Sequence, residues 1–249
     1  MKRRRTRLNW EDLSAMPQAM ACDLLEPVPA APPFRRGRLR ELGLPGLQIG
    51  GQGRMFRACL NLDLCRLSDR HGHSTEAGRV FRVNRRVYYM EQDATKKLPF
   101  AAASFEWVYA EHFIEHITQP QAIAWLKEVR RILEPGGLLR LTTPDLLRYA
   151  EGYLDPAAAF FKAHRAEMRK MGCPPMETRR AWMVNQIFRF WGHRWIYDLD
   201  ELLHVVREAG FSARSFARCG FRKGSDREVC GLDLELRRAE TIYVEVRRP

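Results

Sequence analysis

Residues 47–64 read LQIGGQGRMFRACLNLDL, and this stretch decides the fold class. Two short apolar runs, each suited to a buried strand, flank three glycines in four residues, and the second run closes on an acid. A bend without side chains lets the backbone pass close to a ligand. RVYYMEQ (86–92), FEWVYA (105–110) and LLRLTT (138–143) are further strand candidates. AIAWLKEVRRIL (122–133) has apolar residues at helical spacing and is stopped by Glu134-Pro135-Gly136-Gly137. LDELLHVVREAGF (199–211) is a helix ending at Gly210, and FSARSFAR (211–218) and TIYVEVRR (241–248) are the final strands. Strands alternating with helices predict an α/β domain: a mostly parallel sheet with helices on both faces.

The 249 residues are 45% hydrophobic and 29% charged, which excludes a disordered, collagen-like or low-complexity chain. No stretch approaches the roughly 18 uncharged apolar residues of a membrane-spanning helix. The start MKRRRTRLNWEDL has no apolar run behind it, so no secretory signal is expected and the expected location is cytoplasmic. Cys22, Cys59, Cys65, Cys173, Cys219 and Cys230 form no CxxC pair; they are expected as free thiols, not as disulfides or zinc ligands. A net charge of +12 attracts anionic partners. Its arginines are scattered along the whole chain, so a nucleic-acid partner is admitted and not favoured.

Residues 1–46 are expected to form a basic, Pro-rich N-terminal extension to a domain at 47–249. The extension holds the Lys2–Arg5 cluster, an amphipathic stretch from Trp10 to Leu25, and PVPAAPPFRRGR (27–38), too rich in proline for a helix or central strand. Residues 151–197 are helical, aromatic and basic, and are expected as a helical cap insertion.

In an open parallel sheet, ligands bind beyond the carboxyl ends of the strands. The first strand is followed by Gly50, Gly51 and Gly53, the second by Asp63, the third by Asp93 and the fourth by Ala110-Glu111-His112. An acid at the second position accepts from ribose hydroxyls, and one at the third from an adenine amino group. Together the glycine bend and two acids describe an adenosine site.

LQIGGQG (47–53), CLNLDL (59–64), QDATKKLPFAAASFEWVYAEHFIEHI (92–117), LKEVRRILEPGGLLRLTTPDL (126–146) and LLHVVREAGF (202–211) resemble the class I S-adenosylmethionine-dependent methyltransferases. The likeness is to a small bacterial branch in which the glycine turn runs almost directly into the second strand. The resemblance implies a Rossmann-like sheet of seven strands, the last antiparallel, with S-adenosyl-L-methionine as cofactor. It implies that Gly50, Gly51 and Gly53 line the methionine and ribose, that Asp63 holds the ribose hydroxyls, and that Asp93 with the Ala94 backbone holds the adenine. Ala110, Glu111 and His112 would flank the sulfonium. Only Arg54 to Ala58 separate the glycine turn from the second strand, and Leu47-Gln48-Ile49 stand where an acid often precedes the turn.

The expected reaction is methyl transfer to a small-molecule or glycan-type acceptor, with oxygen favoured over nitrogen. No Asn-Pro-Pro-Tyr type motif follows the fourth strand, which speaks against DNA base methylation. A hydroxyl acceptor calls for a general base, and the candidates are His112, His193 in the cap, and Asp145 after the fifth strand. HFIEH (112–116) also matches the HxxEH zinc-hydrolase pattern, whose chemistry needs both histidines on one helical face with Glu115 as base; the neighbouring Thr118-Gln119-Pro120 leaves little room for that helix. A basic binding module that keeps the fold without turnover is the other rival reading. Trp182, Trp191, Trp195 and Tyr197 are expected to pack the cap onto the domain.

Overall fold

The computed structural model describes residues 19–51 and 53–249; the Lys2–Arg5 cluster and the amphipathic stretch from Trp10 to residue 18 lie outside them. The chain begins with strands β1 (Ala19–Cys22) and β2 (Leu25–Pro27), helix α1 (Arg36–Glu41), then β3 (Gly46–Ile49), β4 (Cys59–Asp63), β5 (Arg66–Asp69), β6 (Val80–Val83), β7 (Val87–Glu91) and β8 (Phe105–Glu111). Helix α2 (Gln119–Ile132), β9 (Leu133–Pro144), and helices α3 (Leu146–Leu154), α4 (Phe160–Lys170), α5 (Arg180–Arg189) and α6 (Leu199–Glu208) follow, then β10 (Phe216–Cys219), α7 (Arg227–Cys230) and β11 (Thr241–Arg247).

The main sheet runs β10-β11-β9-β8-β3-β4-β7-β6-β2. Its five central strands, β9, β8, β3, β4 and β7, are mutually parallel, and β11 is antiparallel to β9. This is the Rossmann-like order expected, with its last strand reversed. The sheet has nine strands where seven were expected, because β6 and β2 extend the β7 edge as antiparallel additions. The connection from β4 to β7 is spent on β5 and β6 instead of a crossover helix. Pro27 ends β2, a place a residue without an N–H can hold only at a sheet edge.

Successive side chains divide the sheet into two unlike faces. Leu47, Ile49, Leu60, Leu62, Val108, Ala110, Leu139, Leu141, Val244 and Val246 join one apolar core with Trp125, Leu126 and Val129 of α2 and Leu202, Val205 and Val206 of α6. Helix α2 starts where Gln121 reaches back to accept from the Thr118 backbone N–H at 3.0 Å. Helix α6 starts at Asp198, which accepts from Glu201 N–H at 2.9 Å. On the opposite face the register aligns Asn61, Gln48, Tyr109, Arg140 and Glu245 in one row across β4, β3, β8, β9 and β11. Segments 54–56 and 220–234 close this face, with α7 its one short helical piece among the described residues, so helical cover is concentrated on the apolar face. Asn61 donates to the carbonyls of Phe56 (2.9 Å) and Tyr88 (2.8 Å). Arg140, fully buried, forks onto Asp233 at 2.9 and 2.6 Å and reaches Glu245 at 3.0 Å.

The described part of the N-terminal extension is integrated into the fold. Strand β1 pairs with β5, β2 joins the sheet edge, Phe34 is buried against Phe100, and α1 carries the buried Leu39. Proline excludes PVPAAPP from a central strand, yet an edge strand and a helix starting at Arg36 fit around it. Strand β10 is shorter than 211–218, because Ser212 accepts from the Arg214 N–H and turns 213–215 into a 3-10 turn.

Helices α3, α4 and α5 form a second apolar cluster around Tyr149, Phe161, Met183, Ile187 and Ile196. Trp182 packs on Phe190, and Tyr197 is buried in the main core. Glu167 on α4 is placed against this cluster's polar edge. Burial and the neighbouring Glu240 and Glu235 push its carboxyl up to about 7, against Lys170 and the Ala239 N–H, which pull it down. Its folded pKa lies above the unfolded value, so the native state holds the extra proton and stability falls as pH rises through that window. Glu167→Gln should therefore raise stability at pH 8 by about 2 kcal/mol and leave it nearly unchanged at pH 4; equal melting shifts at both pH values would contradict this.

Candidate active site

At the carboxyl ends of the parallel strands lies a cavity of about 400 Å³, within the range of small-ligand sites. Gly50, Asp63, Asp93, Ala94 and His112, which follow or end β3, β4, β7 and β8, all line it. The two carboxylates thus share one open space. Met20, Leu64, Cys65, Phe113, His116, Trp191, Gly192 and Arg194 also contribute to the wall.

The glycine bend is sterically required. Gly50 has φ +73°, and a Cβ there would stand 3.1 Å from Phe113. At Gly51 a Cβ would meet the Gln48 side chain at 2.4 Å and the Arg54 carbonyl at 2.5 Å. Gly53 has φ +86° and lies under the Met20 thioether, 2.8 Å from where its Cβ would stand. Asp63 accepts from the Cys65 N–H at 3.2 Å. Asp93 accepts from both the N–H (2.9 Å) and the hydroxyl (2.6 Å) of Thr95 through its Oδ1, which fixes the carboxylate at the strand end.

Other predicted residues are engaged elsewhere. Glu111 turns to the polar face, where it pairs with Arg54 and accepts from Tyr109 Oη (2.9 Å) and Leu234 N–H (2.8 Å). Ala110 is buried in the apolar core. Asp145 caps α3 by accepting from Leu147 N–H at 3.0 Å, and burial pushes its carboxyl up. Neither Glu111 nor Asp145 lines the cavity, because each answers backbone and side-chain donors of its own neighbourhood.

His112 lines the cavity with φ +48°. Its Nδ1 lies 2.8 Å from Arg237 Nη1 and 3.2 Å from Glu115 Oε1. A guanidinium only donates, so Nδ1 accepts from Arg237 and has no proton for Glu115. Nε2 then donates to Thr241 Oγ1 (2.8 Å), whose hydroxyl donates to the Arg237 carbonyl (2.6 Å). Both ring nitrogens are committed, an arrangement that suits a positioned wall better than a proton acceptor. His193 donates from Nδ1 to the Ile187 carbonyl at 2.7 Å, and burial pushes it down to about 4. Burial also lowers His116. The HxxEH arrangement does not form: Ile114–His116 is a single 3-10 turn, and His112 is held by Arg237 and Thr241.

Sequence reasoning missed Met20, because β1 was placed in an appendage. It missed the cap-side wall of Trp191, Gly192 and Arg194 because only the fold brings that loop to the strand ends.

No curated protein matches the sequence. Among solved structures, the chain resembles a possible exported protein from Bordetella parapertussis at 14% identity and TM-score 0.43, covering 86% of this chain and 65% of that one. It also resembles an S-adenosylmethionine-dependent methyltransferase from Mesorhizobium loti at 17% identity and TM-score 0.43, covering 83% and 91%. One from Archaeoglobus fulgidus gives 14% and 0.42, covering 85% and 92%. In the sequence itself, residues 47–141 match the model of a methyltransferase domain. That span runs from β3 into β9 and contains the glycine bend, Asp63, Asp93 and His112. Residues 47–141 therefore carry a methyltransferase domain.

Proposed function

We propose that the cavity holds S-adenosylmethionine through Gly50, Asp63, Asp93 and Ala94, and that methyl transfer goes to a hydroxyl of a small-molecule or glycan-type acceptor. The hydroxyl proton passes to solvent water, because His112, His193 and Asp145 are engaged elsewhere. The observation that carries this reading is the convergence of four successive parallel-strand ends on one cavity of about 400 Å³. The fit is chemical as well as spatial: two carboxylates offer acceptors for hydroxyl and amino hydrogens, and Gly50 brings backbone without a side chain to the cavity wall, whereas Gly51 and Gly53 lie behind it. When bound, the cofactor supplies a methyl group activated on a sulfonium.

The chain's task is alignment. Asp63 accepts from the ribose diol, Asp93 accepts from the adenine amino group, and the Gly50 bend lets the backbone approach the methionine part. His112, locked by Arg237 and Thr241, is a positioning residue that forms the wall between cofactor and acceptor. The acceptor enters beside Trp191, Gly192 and Arg194, where the Arg194 guanidinium suits an anionic molecule. Holding an acceptor in line with the methyl contributes roughly 7–11 kcal/mol toward the barrier.

Calorimetry with S-adenosylmethionine tests the site. Asp93→Ala removes one charge-assisted bond from a carboxylate already shared with Thr95, and about tenfold weaker binding is expected; unchanged affinity would refute the adenine assignment. Transfer of labelled methyl to matched alcohol and amine acceptors tests the oxygen preference, and labelling of amines alone would overturn it.

A further inference from the structure

Glu115, His116 and His193 come together from distant parts of the sequence, and the mechanism above uses none of them. Glu115 and His116 lie in the 3-10 turn after β8; His193 follows α5. The two segments are clasped through the Glu115 carbonyl, which accepts from the N–H groups of Arg194 (2.7 Å) and Trp195 (3.2 Å). Trp191 (φ +66°) and Gly192 (φ +75°) are both left-handed and turn the loop so that His193 faces Glu115. One ligand atom from each of the three residues lies within 4.8 Å of the others.

We propose that Glu115, His116 and His193 form a binding site for a Zn²⁺ ion at the wall of the cavity.

Two observations support it independently of sequence pattern. Glu115 is fully buried; its Oε2 accepts from Thr143 Oγ1 at 3.0 Å, while its Oε1 has no hydrogen-bond donor, the ring nitrogen 3.2 Å away, His112 Nδ1, being taken up as an acceptor by Arg237. A buried carboxylate oxygen left without a partner is costly, and a cation is the partner that satisfies it. His193 gives its Nδ1–H to the Ile187 carbonyl, which leaves the Nε2 lone pair for a metal. The Gly192 carbonyl stands to accept from the His116 ring in the same way. Metal-ligating histidines characteristically donate the second ring N–H to a carbonyl or carboxylate, which fixes the tautomer.

Two imidazoles and one carboxylate suit Zn²⁺, with the fourth position of a tetrahedral ion left to water or another ligand. Zinc–nitrogen bonds of about 2.0–2.1 Å set tetrahedral ligands roughly 3.3 Å apart, so binding draws the side chains inward and tightens the loop after α5 against the strand ends.

The test uses the whole protein stripped with a chelator and then titrated with Zn²⁺ by calorimetry and with Co²⁺ by visible absorption. One equivalent of each ion should bind, and Co²⁺ should give the intense d–d bands of a low-coordinate site. His193→Ala and Glu115→Gln should each weaken binding by more than about 100-fold, beyond the cost of losing an outer-shell partner. His71→Ala, in the exposed His71–His73 pair, should leave it unchanged. Circular dichroism in chelator shows that each variant folds, and His193→Ala suffices if the buried Glu115 variant does not. Substoichiometric binding, or binding lost in His71→Ala and retained in His193→Ala, would overturn the site. The readout needs neither methyl donor nor acceptor, so it stands or falls apart from the cavity assignment.

Discussion

Arg140→Ala should lower the unfolding free energy by about 3–5 kcal/mol, the cost of breaking a buried ion pair from one side. Arg140, Asp233 and Glu245 are all buried. The guanidinium also donates to the Gly220 carbonyl at 3.1 Å and lies 5.5 Å from the centre of the Tyr243 ring. Removing it strands two carboxylates that the surrounding sheet face cannot solvate. Arg140→Lys keeps a charge and loses the fork, so an intermediate loss is expected. Against burial, the Ser225 N–H and Arg140 are among the groups that hold the Glu245 carboxyl below its ordinary range; without the guanidinium Glu245 takes its proton at higher pH, so the deficit should shrink as pH falls toward 4. Chemical denaturation at pH 7 and at pH 4.5 checks both statements. A loss below 1 kcal/mol at pH 7 would mean that segment 220–234 is held to the sheet by something other than Arg140.

That network explains which parts of the fold were legible. The strands, α2 and α6 follow from local patterns: short apolar runs, apolar residues at helical spacing, the EPGG stop and Gly210; the reversal of the last strand came from the family resemblance. The two-faced character of the sheet is also written in the sequence, as LQI, LNL, VYA, LRL and VEV at 47–49, 60–62, 108–110, 139–141 and 244–246. A parallel strand under helices on both sides reads as a continuous apolar run; these alternate, and the alternating residues are the polar row from Asn61 to Glu245. What covers that row was not legible, since segment 220–234 has no periodicity and meets Arg140 only through long-range carbonyls and Asp233. Edge strand β2 was hidden for a similar reason: three residues beside a proline carry no pattern, and Leu25 is fixed by the distant Asp69 carboxylate, which accepts from its N–H at 3.0 Å.

The site shows the same division. Gly50, Asp63 and Asp93 could be placed by counting strand ends, because strand-end position is a local property that a parallel sheet converts into proximity. The roles of Glu111, Asp145 and His112 could not, because each depends on a partner far along the chain or on a cap: Leu234 and Arg54 for Glu111, Leu147 for Asp145, Arg237 and Thr241 for His112. A titratable residue at a strand end is a candidate only until its hydrogen bonds are accounted for.

Asp63→Ala should weaken S-adenosylmethionine binding about 100-fold, the largest effect expected of any single change in the cavity. A carboxylate accepting from a ribose diol makes two charge-assisted bonds, each worth about 1.5–3 kcal/mol before the cost of ordering, and a factor of 100 corresponds to about 2.8 kcal/mol. Asp63→Asn separates charge from shape: its amide keeps one acceptor oxygen and turns the other into a donor, so a loss of roughly tenfold to 100-fold is expected. The one bond Asp63 is seen to accept through Oδ1, from the Cys65 N–H, is long at 3.2 Å and follows the exposed Leu64, so the fold should tolerate both variants with melting temperatures close to that of the parent. Calorimetry with S-adenosylmethionine and with adenosine distinguishes the site from a general loss of structure. A diol contact predicts equal proportional losses for both ligands, and 2′-deoxyadenosine should bind the parent weakly and the alanine variant no more weakly than adenosine does. If adenosine binding survives Asp63→Ala intact, the ribose is held elsewhere and the assignment of the β4 strand end falls.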